Sequence, residues 1–204
     1  MTASEYGDFF VQKAADAVVK AWKNRAPAGM SWGLGHAVVG INRRAQYFDG
    51  TAVLYGDAGR ETFSSFEGGV DPGIDMLFFW TPENALTGMV LNIVCPSQET
   101  EGLVEVSADF WHEVRQEVRR RHGSDVFILP QCSAAGDISP HPMFRKAAEA
   151  AMLERSGLSR RQLIANRIAA AVDDVLPGAK GQVKTSIPFE QLLVDLDLPE
   201  KQPP

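Results

Sequence analysis

The feature that most constrains the fold is a change in the apolar pattern at Cys95. Before it, short apolar runs lie between Gly, Asp and Pro residues, a pattern that predicts β-strands at 37–41, 52–55, 76–80 and 89–94. After it, segments with helical spacing alternate with one short apolar run at 126–129. Strands followed by such alternation predict an α/β fold, a mixed sheet with flanking helices. We expect a single domain over 1–198 and a flexible, charged tail at 199–204.

Four helices are predicted from apolar spacing and from residues that cap helix ends. They are expected at 5–24, from an N-cap at Ser107 to Gly123, at 143–155, and from a Ser159/Gln162 capping box to Pro177-Gly178. The side chains expected to face the core in the first, second and fourth are Val11, Ala15, Val18 and Trp22; Phe110, Trp111, Val114 and Val118; and Leu163, Ile164, Ile168, Val172 and Val175.

Composition narrows the range of partners. The 20 Lys and Arg residues against 26 Asp and Glu give a net charge of -6, which argues against nucleic acid as a partner. No apolar run approaches the about 20 residues that a transmembrane helix needs, and the first residues lack a signal-peptide pattern. We therefore expect a cytoplasmic protein as the sequence is written, and a secreted or periplasmic one if an N-terminal segment is missing. Composition leaves the oligomeric state open.

Polar and small residues suited to chemistry are concentrated in the loop Gln131 to Pro140. This loop follows a predicted apolar strand and precedes a predicted helix, the place where α/β proteins present reactive groups. Gly136 allows a close approach of backbone to ligand, Asp137 offers a carboxylate and Ser139 a hydroxyl. The alternative is that the Asp and the Ser cap the next helix, and spacing alone does not decide between the two.

The segment Gly136-Asp137-Ile138-Ser139-Pro140 resembles the Gly-Asp-Val-Ser-Pro-Asn element of the neutral, non-lysosomal ceramidases. Other resemblances follow in the family's order over roughly residues 37 to 142. They are Asn42-Arg43-Arg44 with Tyr47, the segment 92–98, and 107–110, which is similar to the family's Ser-Gly-Asp-Phe element. His141 stands where the family has Asn.

This resemblance implies a linear-amide hydrolase that cleaves the N-acyl bond of a ceramide-like or related substrate, a small-molecule or lipid amide. It implies that Ser139 acts on the carbonyl, that Asp137 orients Ser139, and that Arg44 holds the oxyanion or the released carboxylate. The same resemblance implies that Gly136, Asn42 and Tyr47 bind the substrate. If the segment is extended, His141 lies on the same face as Ser139 and is the local candidate for the base.

Zinc is the cofactor that the resemblance implies, held in the family by two histidines, a glutamate and a tyrosine. Cys95 stands where the family has one of the histidines, and Glu99 and Glu101 follow it. Cys95 and Glu99 are the candidate ligands, against the alternatives of a packed thiol and a solvated turn. With zinc bound, metal-bound water is the nucleophile and Ser139 positions substrate. Fewer than three clear ligands predict little or no bound zinc.

Two functions stay open at this stage. One is a ceramidase-like hydrolase that is inactive as this isolated segment, because the family's first and last zinc ligands have no counterpart here. The other is a non-catalytic remnant, or a binding or assembly module, on the same scaffold.

Overall fold

The computed structural model describes residues Met1–Asp197. The tail predicted at 199–204 lies outside the described residues. In chain order the elements are α1 (Ala3–Lys23), β1 (Gly29–His36), β2 (Ile41–Asn42), β3 (Arg44–Tyr47), β4 (Ala52–Leu54), β5 (Phe63–Phe66), β6 (Gly73–Trp80), β7 (Leu86–Ile93), α2 (Phe110–His122), β8 (Phe127–Cys132), β9 (Ile138–Ser139), α3 (Lys146–Ser156) and α4 (Arg160–Lys180).

A four-stranded mixed sheet, in the order β1-β6-β7-β8, is the centre of the fold. β1, β6 and β7 pair antiparallel, whereas β8 runs parallel to β7 because α2 carries the chain back between them. A two-stranded ribbon of β2 and β9 and a three-stranded sheet in the order β4-β3-β5 lie beside it. The predicted mixed sheet with flanking helices is confirmed.

The core lies between one face of the central sheet and the helices α2 and α4. Alternate residues of β6 and β7 point to this face, including Phe78 and Leu91, which are fully buried. The predicted stripe of α2 is buried as a whole, and Ile164, Ile168 and Val172 of α4 pack into the same cluster. Trp80 adds a polar link, since its indole N–H donates to the Ser31 hydroxyl at 2.9 Å.

Local capping explains most helix ends. The predicted capping box of Ser159 and Gln162 opens α4, and Gly123, with φ of +127°, ends α2. The N-cap of α2 is Asp109 rather than Ser107, whose hydroxyl accepts from the Asp109 backbone instead. α4 continues through Pro177, which lies in its last turn, to Lys180.

The strand prediction is wrong at residues 37–40, which connect β1 to β2, while the strand itself runs over Gly29–His36. The sequence did not reveal this strand because three glycines interrupt its apolar pattern. A Cβ on Gly35 would meet the Met76 side chain and the Ala171 backbone of α4, so the close approach of the helix requires glycine there. The helix predicted from Met143 begins later, at Lys146.

α1 forms where it was predicted, with a Thr2/Glu5 capping box, but its predicted inner stripe is not buried. Every residue of this helix is exposed, including Val18 and Trp22. Within Met1–Asp197 no helix is both long enough and apolar enough to cross a bilayer.

Candidate functional site

The loop Gln131 to Pro140 leaves the end of β8 and returns as β9. β9 pairs antiparallel with β2, so that Ser139 lies opposite Ile41 and Ile138 opposite Asn42. The next helix, α3, begins only at Lys146, and its N-cap is Arg145. Ser139 is therefore not a helix cap, and the pairing brings it beside the segment Asn42-Arg43-Arg44.

Ser139 is fully buried, and its hydroxyl has two partners. Its Oγ accepts from the backbone N–H of His141 at 3.2 Å and lies 3.3 Å from the hydroxyl of Tyr55. Tyr55 is 43% exposed and has a φ of +54°, in the left-handed region that residues with a Cβ rarely adopt. Strain of this kind is concentrated at functional sites, which makes Tyr55 a candidate that the sequence did not reveal.

Arg43, rather than Arg44, points to this group. Its guanidinium donates to the Tyr55 hydroxyl at 2.9 Å, to the Gln98 side chain at 3.2 Å and to the carbonyl of Gly136 at 2.8 Å. Arg44 lies on β3 and forms an ion pair with Glu67, the residue that directly follows β5. The Arg44 side chain thus bonds to Glu67, whereas the adjacent Arg43 bonds to Tyr55, which contacts Ser139.

Asn42 and Asp137 hold the loop against β2. The Asn42 side-chain amide donates to the Asp137 carboxylate at 2.7 Å, and the Asp137 carbonyl accepts from the Arg43 backbone at 2.8 Å. Asp137 thus fixes the backbone on which Ser139 lies. Tyr47 is placed elsewhere: it is buried in the three-stranded sheet, where its hydroxyl donates to the Asp57 carbonyl at 3.2 Å.

His141 lies between two carboxylates. Its Nδ1 is 3.6 Å from Glu99 and its Nε2 is 3.3 Å from Glu101, whereas its contact with Ser139 is through the backbone rather than the imidazole. Burial raises the pKa of Glu99, opposed by the nearby His141 and Arg160. The Tyr55 hydroxyl is also 3.3 Å from Glu101, so it connects Ser139 with the carboxylate that contacts His141.

The predicted zinc ligands do not fit a zinc site. Cys95 is buried, and burial, reinforced by Cys132 and the neighbouring carboxylates Asp109 and Glu99, raises the pKa of its thiol to about 12. Zinc binds a thiolate, and this environment opposes one. Among residues Met1–Asp197 no group of three or more His, Cys, Asp or Glu side chains is arranged to hold a metal ion.

Tyr55 and Gln98 were not singled out from the sequence as functional residues, since no local pattern marks them. Tyr55 follows a short apolar run and reads as the end of a strand. The pairing of β4 with β3 and the hydrogen bond from the Tyr55 backbone N–H to the Arg43 carbonyl, at 2.7 Å, bring it to the site.

Solved structures of ceramidases resemble this fold. The neutral ceramidase from Pseudomonas aeruginosa matches 81% of this chain with a TM-score of 0.53 and 15% identity, over 25% of its own chain. A ceramidase complexed with C2 matches 77% of this chain with a TM-score of 0.51 and 16% identity, over 23% of its own chain. The chain thus spans about a quarter of the length of each. No protein-family profile and no curated protein matches it. These likenesses establish a ceramidase-like fold.

Proposed function

We propose that this chain carries the serine-bearing part of a ceramidase-like amide hydrolase site, which acts on the N-acyl amide bond of a ceramide-like or related lipid. The observation that carries the proposal is the contact of the Ser139 hydroxyl with Tyr55, whose hydroxyl also accepts from Arg43. It occurs on a ceramidase-like fold, in the segment that resembles the ceramidase serine element.

In the proposed reaction, Ser139 Oγ attacks the carbonyl carbon of the amide, and the carbonyl π electrons move to the oxygen. The proton of Ser139 passes to the Tyr55 hydroxyl as the tyrosine proton passes to Glu101, along the two 3.3 Å contacts. The Arg43 guanidinium stabilises the oxyanion. The C–N bond then breaks, the amine takes the proton back from Glu101, and water releases the acyl group from Ser139 by the same route.

Access to Ser139 depends on Tyr55. Ser139 is fully buried, while the ring of Tyr55 is 43% exposed and lies beside the His141 ring, with 6.2 Å between centroids. A substrate enters when the Tyr55 ring turns aside, and proton transfer requires the ring to return to its contact with Ser139.

The test is hydrolysis of a fluorescent N-acyl sphingosine. It is measured with the 204-residue chain and with a longer polypeptide that includes any residues encoded on either side of it. In whichever form is active, Ser139→Ala should lower kcat/KM at least about 100-fold. It should cost only about 1 kcal/mol of stability, because one buried hydroxyl is lost. Ser133→Ala, an exposed serine of the same loop, is the matched control and should keep full activity. Full activity in Ser139→Ala would remove the serine from the reaction.

The burial of Ser139 favours a second candidate, a module that binds the acyl amide without cleaving it. In that case the fluorescent probe binds at one site per chain and is recovered intact after prolonged incubation, with the extended polypeptide as well. Turnover that depends on Ser139 would eliminate this candidate.

A further inference from the structure

The outward face of the central sheet, opposite the face that packs on α2 and α4, carries two adjacent apolar rows beside a polar row of Asp75, Asn92 and Gln131. Strand register places Trp32, Leu77, Val90 and Leu129 in one row across all four strands. Met30, Phe79, Gly88 and Phe127 form a second row. Trp32 is 49% exposed and Phe127 61% exposed. We call these two rows the outer face.

A sheet face turned to water normally carries polar residues at alternate positions, which these rows lack. A continuous exposed apolar patch of this kind marks an interaction surface. The outer face is therefore a candidate interaction surface.

The helix α1 also leaves an apolar surface uncovered. Its apolar stripe includes Phe10, Val11, Val18 and Trp22, which are 60%, 66%, 68% and 66% exposed. Most helical stability in proteins comes from packing of an amphipathic face, and this 21-residue helix buries no residue of its own. The stripe needs an apolar surface to cover it.

We propose that α1 of one copy packs on the outer face of a second copy, and that the second copy does the same in return. In its own chain α1 stands clear of the sheet, although only residues 24–28 separate it from β1. An exchange of this element closes a two-fold dimer, a low-cost route to association.

The dimensions agree with this arrangement. The stripe from Val11 to Trp22 is about 17 Å long at 1.5 Å per residue. The two rows cross four strands spaced about 4.8 Å apart, a distance of about 14 Å. Each copy gives one helix stripe and receives another on its two rows, so the two contacts are equivalent.

The first experiment measures the molar mass of the full chain by light scattering over a dilution series. The wild type should have twice 22.3 kDa. Val18→Glu on α1 and Trp32→Glu on the outer face should each weaken the dimer at least tenfold while circular dichroism shows a folded chain. Phe48→Glu, at a residue 77% exposed in the β3–β4 turn, is the matched control and should remain dimeric. A monomeric wild type, or a dimer that survives Val18→Glu, would overturn the proposal.

A mixing experiment then identifies which surfaces meet. A pair of Val18→Glu and Trp32→Glu copies keeps one intact contact between a helix and an outer face, so the mixture should form more dimer than either variant alone. No gain on mixing would mean that helix packs on helix or face on face. Loss of the dimer in Leu193→Glu but not in Val18→Glu would assign the outer face to the exposed segment at 188–197 and refute the role of α1.

Discussion

The hydroxyl of Tyr55 lies 3.3 Å from that of Ser139, although 84 positions separate the two residues in the chain. Two backbone interactions produce this contact. The pairing of β2 with β9 sets Ser139 beside Asn42 and Arg43, and the Tyr55 backbone bonds to the Arg43 carbonyl. Three distant segments thus form one polar cluster. The effect of a substitution there depends on whether the side chain contacts this cluster.

The two neighbouring arginines should behave differently. Arg43→Ala removes three hydrogen bonds that join three segments, so it should lower the free energy of unfolding by about 1–3 kcal/mol and reduce kcat/KM of the active form about 100-fold. Arg44→Ala loses one exposed ion pair, worth at most about 1 kcal/mol, and should retain activity. Urea unfolding and the N-acyl assay measure both. Equal losses in the two variants would contradict the assignment of Arg43.

Zinc content is a second prediction, made because the thiol of Cys95 is held protonated and Glu99 is paired with His141. We expect the dialysed protein to hold substoichiometric zinc by elemental analysis, and Cys95→Ala to leave that content unchanged. One tightly held zinc per chain, lost in Cys95→Ala, would make Cys95 a ligand.

Trp111 packs from α2 into the core and is 6% exposed. Trp111→Ala should destabilise the fold by about 3–5 kcal/mol, since truncating a buried aromatic leaves a large cavity. Gln116→Ala, on the exposed side of the same helix, should stay within about 0.5 kcal/mol of the wild type. Coincident urea midpoints for the two variants would refute the packing of this helix.

The two cysteines should differ in reactivity. Cys132 is exposed, whereas Cys95 is buried with a pKa of about 12. A thiol-disulfide reagent at pH 8 should modify Cys132 rapidly and Cys95 only after unfolding, because the thiolate is the reacting form. Mass spectrometry of the modified peptides identifies the site. Rapid modification of Cys95 in the native protein would mean that its pocket opens to solvent.

The same thiol makes stability depend on alkaline pH. The folded pKa of about 12 lies above the ordinary value of 9.0, so the folded state retains a proton that the unfolded state loses. The contribution is complete below pH 9 and is lost as the pH rises from 9 towards 12. Cys95→Ala should therefore show a shallower fall in unfolding free energy over that range than the wild type. Parallel curves would indicate that Cys95 does not contribute.

The sequence by itself determined the local elements and much of the core. Apolar spacing in α2 identified Phe110, Trp111, Val114 and Val118, and the Ser159/Gln162 box marked the start of α4. Periodicity and capping are properties of neighbouring residues, so a single sequence displays them. The resemblance around Ser139 likewise led to the ceramidase-like fold that the solved structures share.

Only the tertiary structure decided which side chains meet. Arg43 and Arg44 are adjacent in the chain, and strand pairing alone sends one towards Gly136 and the other towards Glu67. The stripe of α1 shows the same limit, because an amphipathic pattern tells which residues share a face but not whether that face is covered. Contacts between distant segments depend on register and packing, which no local pattern contains, and these place Tyr55 against Ser139.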